Sequence, residues 1–176
     1  MAKQISLRDF QQGLAERLRV AETEAAPTSR LGVQAGEGHW LLKLDDAGEV
    51  LPLPEISNVP LTKPWYLGLA NIRGVLASVV DFGAFTGEGA TARTPDCRLL
   101  LFADRLQSFS GLLISRMLGL RNVQSFEAVA GAPDRAWVGA TYRDRDGRMW
   151  HELDAGALVA HDEFLGVGVS PVATIK

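Results

Sequence analysis

Gly68-Leu69-Ala70-Asn71-Ile72-Arg73-Gly74-Val75-Leu76-Ala77-Ser78-Val79-Val80-Asp81-Phe82 is the stretch that decides how this chain is read. It begins with a turn, passes through a short polar knuckle carrying one arginine, and continues into an apolar strand that ends in an aspartate. Gly68 and Gly74 bracket the knuckle and permit backbone angles that side chains forbid. Val75, Leu76, Val79 and Val80 suit a pleated, half-buried surface. Arg73 is therefore expected on a short loop held by rigid structure, where binding side chains tend to be placed. Its five donors form a rigid fork that can grip a carboxylate two bonds at a time.

Upstream, Pro52, Pro54, Pro60 and Pro64 stiffen the approach and keep it out of central strand pairing. Trp65, Tyr66, Leu67 and Leu69 follow, and interface centres favour Trp, Tyr and Arg. Trp65 fits two places equally well, a plug in the core or an anchor for a partner. Asp81 reads first as a cap for the turn that follows it. Its second reading is as a partner for Arg73 or for another chain.

The chain has 176 residues, 47% of them hydrophobic, so it can bury a real core and fits one domain, or one domain plus an appendage. Its 18 basic and 21 acidic residues leave a net charge of -3, which gives no pull toward nucleic acid. Cys97 is the single cysteine, so an intrachain disulfide is excluded and a reducing compartment is expected. The beginning of the chain lacks a signal-like apolar segment, and no window approaches the ~20 apolar residues of a spanning helix. A cytoplasmic protein without direct membrane insertion is the expectation.

Ser6 and Asp9 open a helix whose stripe is Leu7, Phe10, Leu14 and Leu18. Ala25 to Ser29 is a linker by composition. Beyond it, short apolar runs between Gly, Pro and Asp read as strands, among them Trp40 to Leu44, Val75 to Val80, Arg98 to Ala103, Gly111 to Ile114, Ala136 to Tyr142 and Arg148 to Leu153. Asp146-Gly147 is a hairpin signal between the last two. Ser125 to Val129 is either a helical turn or a loop. The expected organisation is a helix and linker over residues 1–30, a β domain over 31–165, and a loosely held tail over 166–176. Many short strands with frequent turns point to a sandwich or barrel.

Catalytic and metal chemistry find little support. His39, His151 and His161 share no helix face, and no second cysteine completes a zinc set. Cys97 precedes an apolar strand and reads as buried and structural. Nucleophile-elbow and phosphate-loop patterns do not occur. Asp45-Asp46 and Arg143-Asp144-Arg145-Asp146 sit in turns, where exposure is expected rather than paired acid–base work. No cofactor, metal site or catalytic residue is expected.

The opening stretch resembles the hallmark of the CheW-like chemotaxis coupling family. That hallmark runs glycine, hydrophobic, any residue, asparagine, hydrophobic, arginine, glycine, then an apolar strand and aspartate. Gly68, Leu69, Asn71, Ile72, Arg73, Gly74 and Asp81 match it, with Phe82 in the usual aliphatic place. Glu49-Val50-Leu51, Leu53-Pro54, Val59-Pro60 and Trp65 resemble the family's run into the hallmark, as Leu41 to Leu44 resemble the strand before it. Leu118-Gly119-Leu120-Arg121 and Leu153-Asp154 are fainter echoes. The chain departs from the pattern at Ala77, at Ser78 where a proline is common, and over Asp104 to Ser110, where a glycine hairpin is expected.

The resemblance implies a mainly β fold, two small five-stranded β-barrels side by side, to which this chain adds an N-terminal helix. Gly68 to Asp81 would lie in the first barrel and Leu99 to Leu120 would run through the second. It also implies a non-enzymatic adaptor that couples the cytoplasmic tip of a methyl-accepting chemoreceptor to the regulatory domain of a CheA-type histidine kinase. The leader is similar to that of the PilI-like branch, which serves type IV pilus twitching. The protein-binding residues carried over are Arg73, Asn71, Gly68, Gly74, Trp65 and Asp81. A small-molecule-binding or hydrolytic β-barrel is the alternative. A scaffold subunit that never meets a kinase is a third reading.

Overall fold

Strand-forming runs dominate the chain because leucine, valine and aromatic residues recur there in blocks too short for helices and too apolar for loops. The computed structural model describes residues 28–169. Within them lie strands β1 (Ser29–Ala35), β2 (Gly38–Lys43), β3 (Ala47–Pro52), β4 (Tyr66–Ile72), β5 (Val75–Asp81), β6 (Arg98–Phe102), β7 (Ser110–Ile114), β8 (Arg116–Asn122), β9 (Glu127–Val129), β10 (Val138–Arg143) and β11 (Met149–Leu153). Short α-helices follow two of the strands, α1 (Phe82–Thr86) after β5 and the pair α2 (Ala155–Val159) and α3 (Asp162–Leu165) after β11. The expected leader helix lies outside the described residues. Ser29 and Arg30, expected in the linker, already belong to β1.

The strands form a five-stranded sheet, β3-β6-β7-β5-β4, and a six-stranded sheet, β8-β1-β2-β11-β10-β9. The mainly β expectation holds, but the second sheet has one strand more than expected. Its extra strand is β9, in the segment read as a turn or loop. The division of the chain also differs. Leu99 to Ile114 stay in the same sheet as Gly68 to Asp81, and only β8 crosses to the other. All five strands β3 to β7 are thus inserted between β2 and β8 of the six-stranded sheet.

Both sheets are rolled. In the first, the chain beyond β3 returns so that Ser57 pairs with Leu69 of β4, with backbone hydrogen bonds of 2.8 and 2.9 Å. In the second, the two edge strands β8 and β9 are joined by only the turn Val123–Ser125 and Phe126, so the edges must lie close together. Prolines bound the approach as expected, since β3 is an end strand and stops at Pro52.

Alternation along the strands divides the core in two. Val79, Leu99 and Leu113 turn into the five-stranded barrel with Ala70 and Cys97, and Leu53 and Ile56 close over them. Val80, Leu100 and Leu112 face the other way, toward Val33, Trp40 and Leu42 of the six-stranded sheet. Strands buried on both faces explain the unbroken apolar runs in the sequence. An aromatic cluster fills the space between the sheets: Trp40 and Phe82 lie 4.9 Å apart, Phe85 and Trp137 5.5 Å, and Phe85 and Phe164 5.6 Å. Each such pair adds about 0.5–1.5 kcal/mol beyond its area burial. The tail is held further than expected, because Lys63 N–H donates to Val167 O and Val169 N–H donates to Leu61 O.

Candidate functional site

The β4–β5 hairpin turns on two residues, Arg73 and Gly74, with Ile72 paired to Val75. Asn71 and Ile72 belong to β4, so the knuckle is shorter than the sequence reading made it. Both turn residues have positive φ, +52° at Arg73 and +89° at Gly74. This is the pattern of a type I′ turn, whose first place usually goes to asparagine or glycine. An arginine there costs about 1 kcal/mol of backbone strain. Such strain persists where the surrounding structure fixes it, and it clusters at working sites. Here Asn71 helps to fix it, its Oδ1 accepting from Gly74 N–H at 2.7 Å.

The Arg73 side chain is 77% exposed, and its guanidinium donates to Glu49 of β3 at 2.5 Å. Apolar groups surround it without covering it. Val75 is 48% exposed, Leu76 61% and Phe109 71%. Phe109 is brought there by the loop between β6 and β7, whose backbone carbonyl accepts from Ser78 N–H of β5 at 2.8 Å. A shallow hollow of about 220 Å³ lies among Arg73, Glu49, Val75, Asp104 and Phe109. A cation, an acid and exposed apolar groups thus meet at one end of the five-stranded barrel.

Three of the anticipated residues, Asn71, Arg73 and Gly74, come together at this tip. The other three lie elsewhere. Gly68 is buried with φ +129°, and a Cβ on it would stand 2.1 Å from Ser57 O. It is needed for the close approach that shuts the barrel. Trp65 packs against the aromatic cluster, 5.0 Å from Phe85, which is the core-plug place of its two readings. Asp81 is buried at the far end of β5. Its carboxylate accepts from Ala84 N–H at 3.2 Å, Thr91 N–H at 2.9 Å and the Thr91 hydroxyl at 2.8 Å. It caps α1 and does not reach Arg73.

Glu49, Val75, Leu76 and Phe109 were not singled out as site residues. Val75 and Leu76 read as half-buried strand positions, but the β4–β5 hairpin that carries them runs past the end of β7 into solvent. Phe109 carries no local signal at all. The Asp104 to Ser110 loop was expected in the second barrel. It lies instead between β6 and β7 of the first, with Gln107 at φ +50° where a glycine would be usual.

The groups set aside in the sequence lie as follows. Cys97 is buried in the smaller core. His161 Nδ1 accepts from Glu163 N–H at the start of α3. No group of His, Cys, Asp and Glu among the described residues is arranged to hold a metal ion. Asp46 is buried and paired with Arg105, against the expected exposure. Asp144 is also mostly buried, 11% exposed at its side chain. Burial alone would raise its pKa. The Trp150 indole, the Arg148 and Asp146 backbone N–H groups and the Arg148 charge outweigh that and hold it below the usual value. A carboxylate kept ionised in this way is no proton donor at neutral pH.

Residues 30–163 match the CheW-like domain family. The chain is 28% identical to Protein PilI of Pseudomonas aeruginosa over 156 residues, 85% of each chain. Its fold is similar to that of the scaffolding protein TtCheW from Thermoanaerobacter tengcongensis, with a TM-score of 0.58 at 20% identity. That alignment covers 72% of this chain and 88% of the other. Among the described residues no helix is long and apolar enough to cross a membrane.

Proposed function

This chain belongs to the CheW-like domain family, and on that footing we propose that it is a non-enzymatic adaptor coupling a methyl-accepting chemoreceptor to a CheA-type histidine kinase. The similarity to PilI supports placing it in a type IV pilus twitching system. The observation that carries the reading is the Arg73 tip. A strained turn presents a guanidinium whose carboxylate partner among the described residues is half-exposed, beside apolar side chains that no described residue covers. Interface centres have this composition.

The mechanism is geometric. One barrel docks on the kinase's regulatory domain, while the surface including Arg73 takes the helical tip of the receptor. Holding both in one array lets a conformational bias in the receptor reach the kinase as a change in interface free energy of about 1–3 kcal/mol. No cofactor enters, and the adaptor works in the cytoplasm beside membrane-bound receptors.

The test is titration calorimetry of the purified chain with a CheA-type regulatory domain and with a receptor-tip fragment. Binding of each at about micromolar Kd is expected. Absence of both interactions at about millimolar concentrations would remove the adaptor reading.

A further inference from the structure

Strand register places Gly32, Leu41, Trp150, Glu152, Tyr142 and Arg121 on one face of the six-stranded sheet. This is the concave face, because Phe126 in the link between the edge strands reaches Trp150 at 5.5 Å. One mouth of this roll is a cleft of about 350 Å³, lined chiefly by Arg121, Arg145, Arg148, Ser125, Phe126 and Trp150. Asp144 and Asp146, from the loop between β10 and β11, complete it.

The charges in this cleft do not cancel. Asp144 Oδ1 accepts from Asp146 N–H at 2.9 Å and Arg148 N–H at 2.8 Å, and Oδ2 accepts from the Trp150 indole at 2.9 Å. Arg148 is shared between Asp144 and Asp146, at 3.7 and 3.1 Å. Both acids are therefore committed. Among the described residues, neither Arg121 nor Arg145 has a carboxylate partner. The Arg121 Nε is buried with no hydrogen-bond acceptor among the described residues. A buried donor on a cation left without an acceptor is costly.

Arg121 is also held in place before anything binds. Its guanidinium lies over Trp150 at 5.5 Å. Its stem crosses Gly32, where an added Cβ would stand 3.0 Å from Arg121 Cγ and 3.2 Å from Trp150 Cζ3. Trp150 is fixed in turn by its bond to Asp144. An arginine ordered in this way gives up little entropy when it grips an anion.

We propose that this cleft binds a small phosphate-bearing molecule, its phosphate held by Arg121 and Arg145 and its remaining part lying against Phe126. Three guanidinium groups against two carboxylates leave the cleft one positive charge in excess, which favours a phosphate monoester carrying about -1.5 to -2 at neutral pH. The volume stands at the small end of ligand pockets and suits a mononucleotide. Free phosphate and a nucleotide share this chemistry, and the experiment separates them.

The test follows the Trp150 indole N–H resonance of the full chain during titration with inorganic phosphate, AMP and adenosine. A saturable shift with AMP is expected, weakened about tenfold by Arg121→Gln and severalfold by Arg145→Gln. Arg93→Gln, an exposed charge outside the cleft, should change it less than about twofold. Tighter binding of AMP than of inorganic phosphate supports the proposal, and equal affinity for the two would show a bare oxyanion site and overturn the contact with Phe126. Adenosine binding as well as AMP, a shift indifferent to Arg121→Gln in a folded variant, or no saturation by about 10 mM of any phosphate would overturn the proposal.

Discussion

Arg73 and Glu49 meet at 2.5 Å although their strands, β4 to β5 and β3, come from opposite ends of the sheet order. The contact is possible because the sheet is rolled. It is too exposed to stabilise the fold much, about 0–1 kcal/mol for a pair of this kind. Its guanidinium can therefore exchange Glu49 for a partner's carboxylate at little cost. Arg73→Glu should weaken receptor-tip binding at least tenfold, about 1.4 kcal/mol, while leaving kinase-domain binding within about threefold. Adding Glu49→Arg restores the local pair with reversed sign. If receptor affinity returned in that double variant, Arg73 would act on Glu49 alone and not on the partner.

Phe109 and Leu76 stand in solvent beside that arginine. Phe109→Ala and Leu76→Ala should leave the unfolding midpoint within about 2 °C, because neither side chain is packed. If the tip is an interface centre, each should cost about 1–2 kcal/mol in receptor binding. Calorimetry and thermal melts on the same samples decide the matter.

Gly68 and Gly74 both have positive φ, for different reasons. Gly74→Ala meets open space and pays only the left-handed backbone, about 1 kcal/mol. Gly68→Ala adds a methyl 2.1 Å from Ser57 O, so the barrel seam must open. Its cost should exceed about 2 kcal/mol, lowering the melting temperature at least 4 °C or so. Equal melting temperatures for the two variants would contradict the seam.

Asp81 separates folding from binding. Asp81→Ala strips three donors of their acceptor in a buried site and should cost about 3 kcal/mol or more. Partner affinity of the fraction that remains folded should be unchanged. A folded variant that lost binding would show a contact that the buried carboxylate does not offer.

His39 supplies a pH signature. Burial first, then the Arg148 and Arg116 charges, lower its pKa below 6.5, against the pull of Asp144 and Glu37. The unfolded chain therefore takes up this proton at a higher pH than the fold does. The resulting stability is complete above pH 6.5 or so and is lost as pH falls through the depressed folded value. Melting temperatures at about pH 7.5 and pH 5.5 should differ more in the native protein than in His39→Gln. An equal difference in both would remove the assignment.

Much of this architecture could be read from local pattern. Leu99-Leu100 and Val79-Val80 are apolar on both faces because both faces are covered, and Asp146-Gly147 does mark a hairpin. The Arg73 tip was legible because a two-residue turn is a local object. Its neighbours were not. Glu49 and Phe109 arrive through rolling of the sheet and through the parallel pairing of β5 with β7, neither of which leaves a trace within a few residues. The membership of β6 and β7 in the first barrel was hidden for the same reason. Likewise, Asp144 looked like a solvated turn residue, because the indole that holds it lies across the loop.

The insertion of β3 to β7 between β2 and β8 has a consequence in time. As the ribosome delivers the chain, β1 and β2 appear early and must wait for β8 and β11, their neighbours in the finished sheet. In that interval every strand of the inner barrel has already emerged. The guest can close before its host exists. A chain interrupted after Ile114 would retain the arginine tip, leave one apolar flank bare to water, and never make the arginine-lined mouth at all.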